Sequence, residues 1–499
     1  MCGFVCLWQL DDPVLARRMI GKIAHRGPDG LEVRRAPNVP AVMAHCRLAI
    51  IGPESGTQPI YSDDDVLVAN GEIYNHADLR AILGEGTFET DSDSETILHL
   101  FQSDEPRWIA KLDGMFAFVL ATPERVIAAR DPLGIKPLYK ARLGEGIVFA
   151  SELKAFDDIA VSSVEEIAPG VMYDSAAGHR EWHRMPQGAA ETLPDEDPEP
   201  IWRELRIVLQ AAVRKWMVAD VEVGCFLSGG LDSSIIAALA TGESSRPLKT
   251  FSVGMSGSQD LEAARVVADH IGSDHHELVF NADDLAGALS HVIYHLESPD
   301  VDVVRSALPT HFATTLARRH VKAVLTGEGA DELFAGYRYH HGYAGRPRAL
   351  ADEITRSLGA MHNINLQRVD RITMAQGLEA RTPFLDRDLI EFAQSIPASL
   401  KMKVADQGTR DTTEKWVLRK ACEELLPAEV VWRKKAQFDE GSGTVHALEQ
   451  VLAEIIGSSG PVDRAREGEL YERVIRERYK DPRLIFDNAG IWSAERIAA

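Results

Sequence analysis

An apolar run that leads into a glycine- and serine-rich loop lies near the middle of this chain. Residues 221–227 are mostly apolar, and they are followed by Ser228-Gly229-Gly230-Leu231-Asp232-Ser233-Ser234 and a helical pattern. A strand that ends in such a loop at the start of a helix turns backbone N–H groups and the positive end of the helix dipole towards an anion. The two glycines allow close approach and unusual φ values. The sequence therefore predicts a phosphate-binding loop in an α/β sheet.

Asp232 constrains the ligand of this loop further. A carboxylate suits a phosphate site when a Mg²⁺ ion bridges it to the phosphates. The loop lacks the Gly-Lys-Ser/Thr ending of a Walker A loop and the G-x-G-x-x-G pattern of dinucleotide-binding folds. Neither of these two common nucleotide-binding loops is therefore expected here.

Composition and charge exclude several functional classes. The 499 residues carry a formal charge of −22 and are 45% hydrophobic, which is typical of a soluble protein of two or three domains and disfavours nucleic acid or membrane as partners. No apolar run approaches the ~18 residues of a membrane span, and Asp11-Asp12 follows too early for a signal peptide. The cysteines are few and scattered, which disfavours a disulfide framework and favours the cytoplasm. They are Cys2, Cys6, Cys46, Cys225 and Cys422.

The predicted secondary-structure pattern changes at a proline-rich acidic segment. We predict a first domain over residues 2–185, a linker over 186–200 and a second domain over 201–499. Short strand-like runs separated by turn residues dominate the first part, which predicts a β-rich domain. In the second part, strand and helix patterns alternate, which predicts a parallel sheet covered by helices on both faces. Beyond about residue 336 the pattern is mostly helical.

A second string lies downstream of the predicted phosphate loop. It reads Val324-Leu325-Thr326-Gly327-Glu328-Gly329-Ala330-Asp331-Glu332-Leu333-Phe334-Ala335-Gly336-Tyr337. The loop at 228–234 resembles that of the ATP pyrophosphatases, which cleave ATP between its α- and β-phosphates. The second string is very similar to a segment of the asparagine synthetases.

This resemblance implies roles at a synthetase site. Glu328 would serve in acid–base chemistry at the acyl intermediate, and Asp232 with Asp331 would hold Mg²⁺ through pyrophosphate. Lys435, in the basic segment 432–441, corresponds to a family lysine on the departing phosphates. The implied ATP and pyrophosphate site comprises Leu227, Ser228, Gly229, Gly230, Asp232, Ser233, Val253, Thr326, Gly327, Asp331 and Lys435.

The start of the chain, Met1-Cys2-Gly3, resembles the class II glutamine amidotransferases. In these enzymes an N-terminal cysteine attacks the side-chain amide of glutamine. A thiol is nucleophilic as the thiolate, and the α-amine of a terminal cysteine, with a pKa near ~8, can take its proton. We therefore expect Met1 to be removed from the active protein.

Four further strings resemble the same domain. They span residues 24–30, 45–50, 70–75 and 90–95. The resemblance implies that Arg47 binds the α-carboxylate of glutamine and Asp93 its ammonium group, while Glu72 belongs to the same pocket. The side chain of Asn70 and the N–H of Gly71 would form the oxyanion hole. Arg26 and Asp29 in the first string equally suit a role in the turn itself, and no site role is assigned to them.

The resemblance covers nearly the whole chain and implies a fold and a reaction. The fold would be an α+β N-terminal-nucleophile hydrolase domain, layered αββα, followed by an α/β parallel-sheet ATP-pyrophosphatase domain with a helical C-terminal part. Ammonia released at Cys2 would travel internally to the second site, where aspartate is activated as β-aspartyl-AMP and amidated. ATP and Mg²⁺ would be the cofactors, and a homodimer is compatible with the family.

One segment departs from the family. Residues 298–309 keep Asp300, Arg305 and Pro309, but Asp302 adds a negative charge. Arg305 and Arg381 align with family arginines near the acceptor site. Aspartate is the favoured acceptor, and a related amidotransferase acting on another carboxylate is the alternative.

Two other interpretations are weaker. A phosphoribosyl- or sugar-phosphate amidotransferase would share only the first domain, and the loop at 228–234 argues against it. A catalytically inactive regulator is disfavoured because all the proposed catalytic residues are present. The string Asp274-His275-His276-Glu277 is interpreted as the start of a strand rather than a metal site.

Overall fold

The computed structural model describes residues 2–103, 105, 107–189, 197–404, 412–433 and 441–490. Its first part contains an antiparallel sheet of six strands in the order β10-β8-β9-β1-β3-β2. These strands are β1 (Cys2–Trp8), β2 (Gly30–Arg35), β3 (Ala41–Arg47), β8 (Tyr139–Leu143), β9 (Gly146–Ala150) and β10 (Val164–Glu166).

A second antiparallel sheet of six strands packs against the first. Its order is β12-β11-β7-β6-β5-β4. These strands are β4 (Ile60–Ser62), β5 (Asp65–Ile73), β6 (Gly114–Ala121), β7 (Val126–Arg130), β11 (Val171–Asp174) and β12 (Gly178–Glu181). Alternate residues of the two sheets, such as Phe4, Met43, Val68 and Val119, form the core between them.

Helices cover the outer faces of both sheets. Leu15 and Met19 of α1 (Pro13–Lys22) pack with Val5 and Leu7 on the first sheet. The helices α2 (His76–Leu83) and α3 (Glu95–Gln102) lie against the second sheet, and their apolar residues share a core with Leu67. The layers are therefore αββα, as predicted. We call the part of the chain from β1 to β12 the N-terminal unit.

The part of the chain from residue 199 onwards is built on a parallel sheet, and we call it the C-terminal unit. Its five strands lie in the order β15-β14-β13-β16-β17. They are β13 (Val223–Phe226), β14 (Lys249–Gly254), β15 (Asp274–Val279), β16 (Ala323–Leu325) and β17 (Glu379–Arg381). The interpretation of residues 274–277 as the start of a strand is confirmed.

Helices flank the parallel sheet on both faces, as predicted. One face carries α4 (Glu199–Trp216), α5 (Leu231–Glu243) and α6 (Gln259–Ile271). The other face carries α7 (Ala282–Leu296) and α8 (Val301–Ala317).

The C-terminal part is mostly helical, which also agrees with the sequence. Its helices are α9 (Ala330–Leu333), α10 (Pro347–Ala360), α11 (Asn365–Met374), α12 (Arg387–Ser395), α13 (Ala398–Lys401), α14 (Trp416–Ala421), α15 (Ala428–Val431), α16 (Thr444–Ile456), α17 (Arg464–Arg478) and α18 (Arg483–Phe486). The strands β18 (Met402–Val404) and β19 (Thr412–Glu414) form a small antiparallel sheet. Short 3₁₀ turns span Ala24–Arg26, Glu85–Thr87, Trp108–Lys111, Leu153–Phe156, Arg338–Tyr343, Met361–Asn363 and Pro383–Leu385.

The start of α8 differs from the sequence pattern. The alternating pattern predicts a helix over Pro309–Arg319. In the structure α8 begins at Val301, and Pro309 lies inside it. The reason is Asp300, whose carboxylate accepts hydrogen bonds from the N–H groups of Asp302 and Val303, both at 3.0 Å, and so caps the helix.

The strand order places a crevice beside β13. The chain leaves β13 for β14 on one side, whereas β16 lies on the other side. The loops after β13 and β16 therefore diverge at the carboxyl ends of neighbouring strands, where ligands bind in open α/β sheets. No helix among the described residues combines the length and apolar character needed to cross a bilayer.

Candidate active sites

Cys2 begins β1 beside the end of β3. It lies opposite Arg47 in the antiparallel register, and such cross-strand partners project to the same face of a sheet. The N–H of Cys2 donates to Asn70 Oδ1 at 3.0 Å, and the Cys2 carbonyl accepts from Arg26 Nε at 2.9 Å. Burial raises the pKa of the Cys2 thiol, although the Leu48 N–H and the Arg47 charge act in the opposite direction. The resting thiol is therefore neutral and needs a base.

Asn70 and Gly71 lie next to Cys2 on β5. Asn70 is fully buried, and its Nδ2 has no hydrogen-bond partner among the described residues. A buried donor left unpaired is unfavourable unless a ligand uses it. Gly71 has φ 144°, and a Cβ there would lie 1.9 Å from the Met115 carbonyl oxygen. Only glycine fits at position 71. The unpaired side-chain amide of Asn70 suits an oxyanion hole.

Arg47 and Asp93 are each held by contacts with the backbone. Arg47 is half-buried, and its two terminal nitrogens donate to the carbonyls of Pro53 at 2.9 Å and Gly52 at 2.6 Å. Asp93 is buried and accepts from the Ile73 N–H at 2.6 Å. Burial raises the pKa of Asp93, so a cationic ligand would stabilise its ionised form.

Glu72 lies at the boundary with the C-terminal unit. Its Oε2 is 3.5 Å from Nη2 of Arg381 at the end of β17. Burial raises the pKa of Glu72 well above its ordinary value, and the charges of Glu379 and Asp93 act in the same direction. Arg381 is itself fully buried and donates to Glu379 at 2.6 Å and to the Trp216 carbonyl at 2.8 Å.

The loop after β13 lies on one side of the predicted ATP site. Ser228 Oγ and Ser233 Oγ lie 3.0 Å apart, and the Ser228 N–H donates to Ser233 Oγ at 3.1 Å. Gly229 has φ 70°, and a Cβ there would lie 2.5 Å from the Ala264 nitrogen. Leu227 and Val253 are buried beside the loop.

The loop after β16 lies on the other side of the predicted ATP site. A Cβ on Gly327 would lie 2.8 Å from Asp232 Cβ, so the two loops touch. Thr326 is buried at the end of β16, where its N–H donates to the Arg381 carbonyl at 2.8 Å. The predicted ATP residues of the two loops are thereby brought together.

Lys415 joins the two predicted magnesium-binding residues. Its Nζ lies 2.6 Å from Asp232 Oδ2 and 2.6 Å from Asp331 Oδ1. Burial works against the charge of Lys415, but the two carboxylates outweigh burial and raise its pKa. Two carboxylates that converge on one cation are a donor set that also suits Mg²⁺. The sequence analysis missed Lys415, because one lysine ahead of a short helix has no motif.

Glu328 pairs with a second residue that the sequence analysis missed. Arg368 Nη2 donates to Glu328 Oε1, and Arg368 Nη1 donates to Thr310 Oγ1 at 3.1 Å. The neighbouring Glu332 is buried and accepts from the Tyr337 hydroxyl at 2.5 Å. Burial raises the pKa of Glu332 to about 7.

Two family models match different parts of the chain. Residues 204–355 and 344–497 match the family model described as asparagine synthase, and residues 1–177 match that of a glutamine amidotransferase domain. A glutamine-hydrolysing asparagine synthetase of Triphysaria versicolor is 36% identical over 516 residues, covering 96% of this chain and 86% of that protein. One from Arabidopsis thaliana, numbered 3, is 39% identical over 468 residues, covering 89% and 79%. This chain belongs to the glutamine-hydrolysing asparagine synthetase family.

Likeness to solved structures adds nothing to this assignment. A structure titled as the allosteric regulatory enzyme of purine biosynthesis aligns at 18% identity and a TM-score of 0.34, covering 56% of this chain and 80% of that one. A score this low supports no inference.

The basic segment 432–441 is partly described. Arg433 Nη1 donates to the Gly229 carbonyl at 3.2 Å, and its Nη2 donates to Asp260 at 3.1 Å. Arg433 therefore places positive charge beside the phosphate loop. Lys435 lies outside the described residues.

Residues 302 and 305, near the start of α8, contact helix α17. Arg305 is buried and donates to both carboxylate oxygens of Glu467, at 2.8 and 2.6 Å. Asp302 pairs with Arg464. The additional negative charge of Asp302 is thus met by an arginine of the same unit.

Proposed function

We propose that this protein hydrolyses glutamine at Cys2 and uses the ammonia to convert aspartate and ATP into asparagine, AMP and pyrophosphate. One observation carries the proposal: a single chain holds Cys2 beside an unused Asn70 amide and, elsewhere, two diverging loops whose aspartates meet at one point. The names of its relatives support the same reaction.

At the first site, the α-amine exposed by removal of Met1 accepts the thiol proton. The Cys2 sulfur attacks the carboxamide carbon of glutamine, and the α-ammonium then gives the proton to the amide nitrogen. The C–N bond breaks, and a thioester forms as ammonia leaves. Asn70 Nδ2 and the Gly71 N–H stabilise the oxyanion. Arg47 binds the α-carboxylate of glutamine and Asp93 its ammonium, and Glu72 lies in the wall of the pocket. Water then cleaves the thioester to release glutamate.

At the second site, the loops after β13 and β16 and Val253 bind ATP. Asp232 and Asp331 would hold Mg²⁺, which supplies charge compensation for the phosphates when bound. Lys415, Arg433 and Lys435 add positive charge. The side-chain carboxylate of aspartate attacks the α-phosphorus and pyrophosphate leaves. Ammonia attacks the resulting acyl carbon, Glu328 accepts the proton, and AMP leaves.

The assembly and compartment are also proposals. The five cysteines are free thiols, which suits the reducing cytoplasm. A homodimer is proposed from the family resemblance, and analytical ultracentrifugation would test it.

The alternative is the same chemistry on another carboxylate. It is favoured by the departure at residues 298–309. The deciding experiment supplies ATP and glutamine with aspartate or with a panel of other acids and measures AMP and pyrophosphate. Asparagine should form with aspartate at the highest kcat/KM. Formation of ADP instead of AMP would refute both versions.

A further inference from the structure

Six buried side chains of alternating charge form a closed ring across the boundary between the two units. We call it the interdomain ring. Each member contacts the next, and the last contacts the first: Arg26–Glu152 at 2.5 Å, Glu152–Lys154 at 2.6 Å, Lys154–Glu297 at 2.9 Å, Glu297–Arg371 at 2.9 Å, Arg371–Asp370 at 3.2 Å and Asp370–Arg26 at 2.8 Å. Their side chains are no more than 3% exposed.

The two units contribute unequal charges to the interdomain ring. The N-terminal unit supplies Arg26, Glu152 and Lys154, whereas the C-terminal unit supplies Glu297, Asp370 and Arg371. Among these six side chains, the N-terminal unit has one excess positive charge and the C-terminal unit one excess negative charge. Lys136 of the N-terminal unit is a further buried cation, and its Nζ lies 3.6 Å from Asp370 Oδ1. Because an unpaired buried charge is strongly unfavourable, docking supplies the buried acids of the C-terminal unit with cations from the other unit.

Arg26 connects the interdomain ring to the catalytic cysteine. Its Nε donates to the Cys2 carbonyl at 2.9 Å. Its Nη1 and Nη2 donate to the two oxygens of Asp370, at 2.8 and 3.1 Å. A bidentate contact of this kind fixes both the position and the plane of a guanidinium. Thus a residue of the C-terminal unit, together with Glu152 of the N-terminal unit, holds the donor to Cys2 in place.

We propose that Asp370 is a positioning residue for glutamine hydrolysis, acting on Cys2 through Arg26. The inference rests on the proposed function of Cys2. Nucleophilic attack is sensitive to displacements of about 1 Å, which can lower a rate ~100-fold. Rotation of Arg26 would shift the peptide that carries the thiol. Glutamine binding depends on Arg47 and Asp93, which are not members of the interdomain ring, and should change little.

The test compares Asp370→Asn with Glu297→Gln. Both variants neutralise one buried carboxylate of the interdomain ring, but Glu297 contacts neither Arg26 nor Cys2. We expect Asp370→Asn to lower the glutaminase kcat about tenfold or more while KM for glutamine stays within about twofold. Alkylation of Cys2 by iodoacetamide should slow as well. Glu297→Gln should keep kcat within about threefold, and ammonia-dependent pyrophosphate release should persist in both.

An unchanged kcat in Asp370→Asn, or an equal loss in both variants, would overturn the proposal. If circular dichroism shows that Asp370→Asn is unfolded, the decision passes to Asp370→Glu and Glu297→Asp, which retain the charges and move one carboxylate each. The first should lower kcat and the second should not. The wild-type protein is assayed first, since lack of glutaminase activity there would refute the proposed function rather than this inference.

Discussion

The carboxylate of Glu72 and the guanidinium of Arg381 lie 3.5 Å apart across the boundary between the two units. Arg381 also pairs with Glu379 at 2.6 Å. Burial raises the pKa of Glu72 and favours its neutral form, whereas the pKa of Glu379 is lowered. One buried guanidinium therefore contacts an acid from each unit and joins β5 to the end of β17 in the parallel sheet.

Replacing Arg381 by methionine should destabilise the protein. The change leaves the carboxylate of Glu379 buried without Arg381, and removing one partner of a buried ion pair costs about 3–5 kcal/mol. The apparent Tm from calorimetry should fall. Adding Glu379→Gln to this variant should restore part of the loss, because the pKa of Glu379 is held low, at about 2, and the change removes this buried negative charge. A further fall in Tm for the double variant would contradict this account.

Cys2→Ala should separate the two activities. Glutamine-dependent asparagine synthesis should disappear because no thioester can form, whereas synthesis from ammonium chloride should continue. Both are measured as pyrophosphate release with ATP and aspartate. Loss of both activities in a protein with unchanged circular dichroism would refute the two-site mechanism.

Asn70→Asp tests the oxyanion hole. An aspartate retains an oxygen that can accept from the Cys2 N–H but loses the Nδ2 donor. The glutaminase kcat should fall by about 10²–10³-fold, the range for loss of one oxyanion donor. Arg80→Lys offers a matched control, because Arg80 holds the backbone of the nearby 90–92 turn through the Thr90 and Ser92 carbonyls without contacting Cys2. An equal loss in the control would point to a general disturbance of the pocket.

Lys415→Met should impair the second site alone. It leaves Asp232 and Asp331 without the ammonium that they share and weakens binding of the departing phosphates. Ammonia-dependent synthesis should fall about tenfold or more, while glutamine hydrolysis continues. Lys420→Met provides the control, since Lys420 lies on α14, the helix that Lys415 precedes, but pairs with Glu423. Full synthetase activity in Lys415→Met would show that Lys415 has no role there.

Glu332 should make stability depend on pH. Burial raises its folded-state pKa from 4.5 to about 7. The folded protein therefore holds a proton that the unfolded chain releases, so this contribution to stability is present below pH 4.5 and is lost as pH rises to about 7. Glu332→Gln stays neutral and lacks this term. The Tm of the wild type relative to Glu332→Gln should consequently decrease from about pH 5 to pH 8; a relative Tm that increases would disprove the raised pKa.

Local patterns in the sequence determined much of the fold and part of both sites. The short strand-like runs separated by turn residues predict a β-rich first domain, and the apolar strand before Ser228 predicts the loop that starts α5. These features depend on neighbours along the chain, so they are readable without knowledge of the tertiary structure. Glycines such as Gly71 are equally informative, because the positive φ they permit is a local requirement.

Contacts between distant residues were decided only by the tertiary structure. Arg26 and Asp370 are 344 positions apart, and Lys415 and Asp232 are 183 apart. A single charged residue on a helix has the same local pattern whether it faces water or an ion pair. Which case holds depends on how whole sheets and helices pack against one another. At a buried boundary each charge requires a partner, because the local dielectric constant is low. The chemical groups were therefore evident from the sequence, but their partners across the boundary were not.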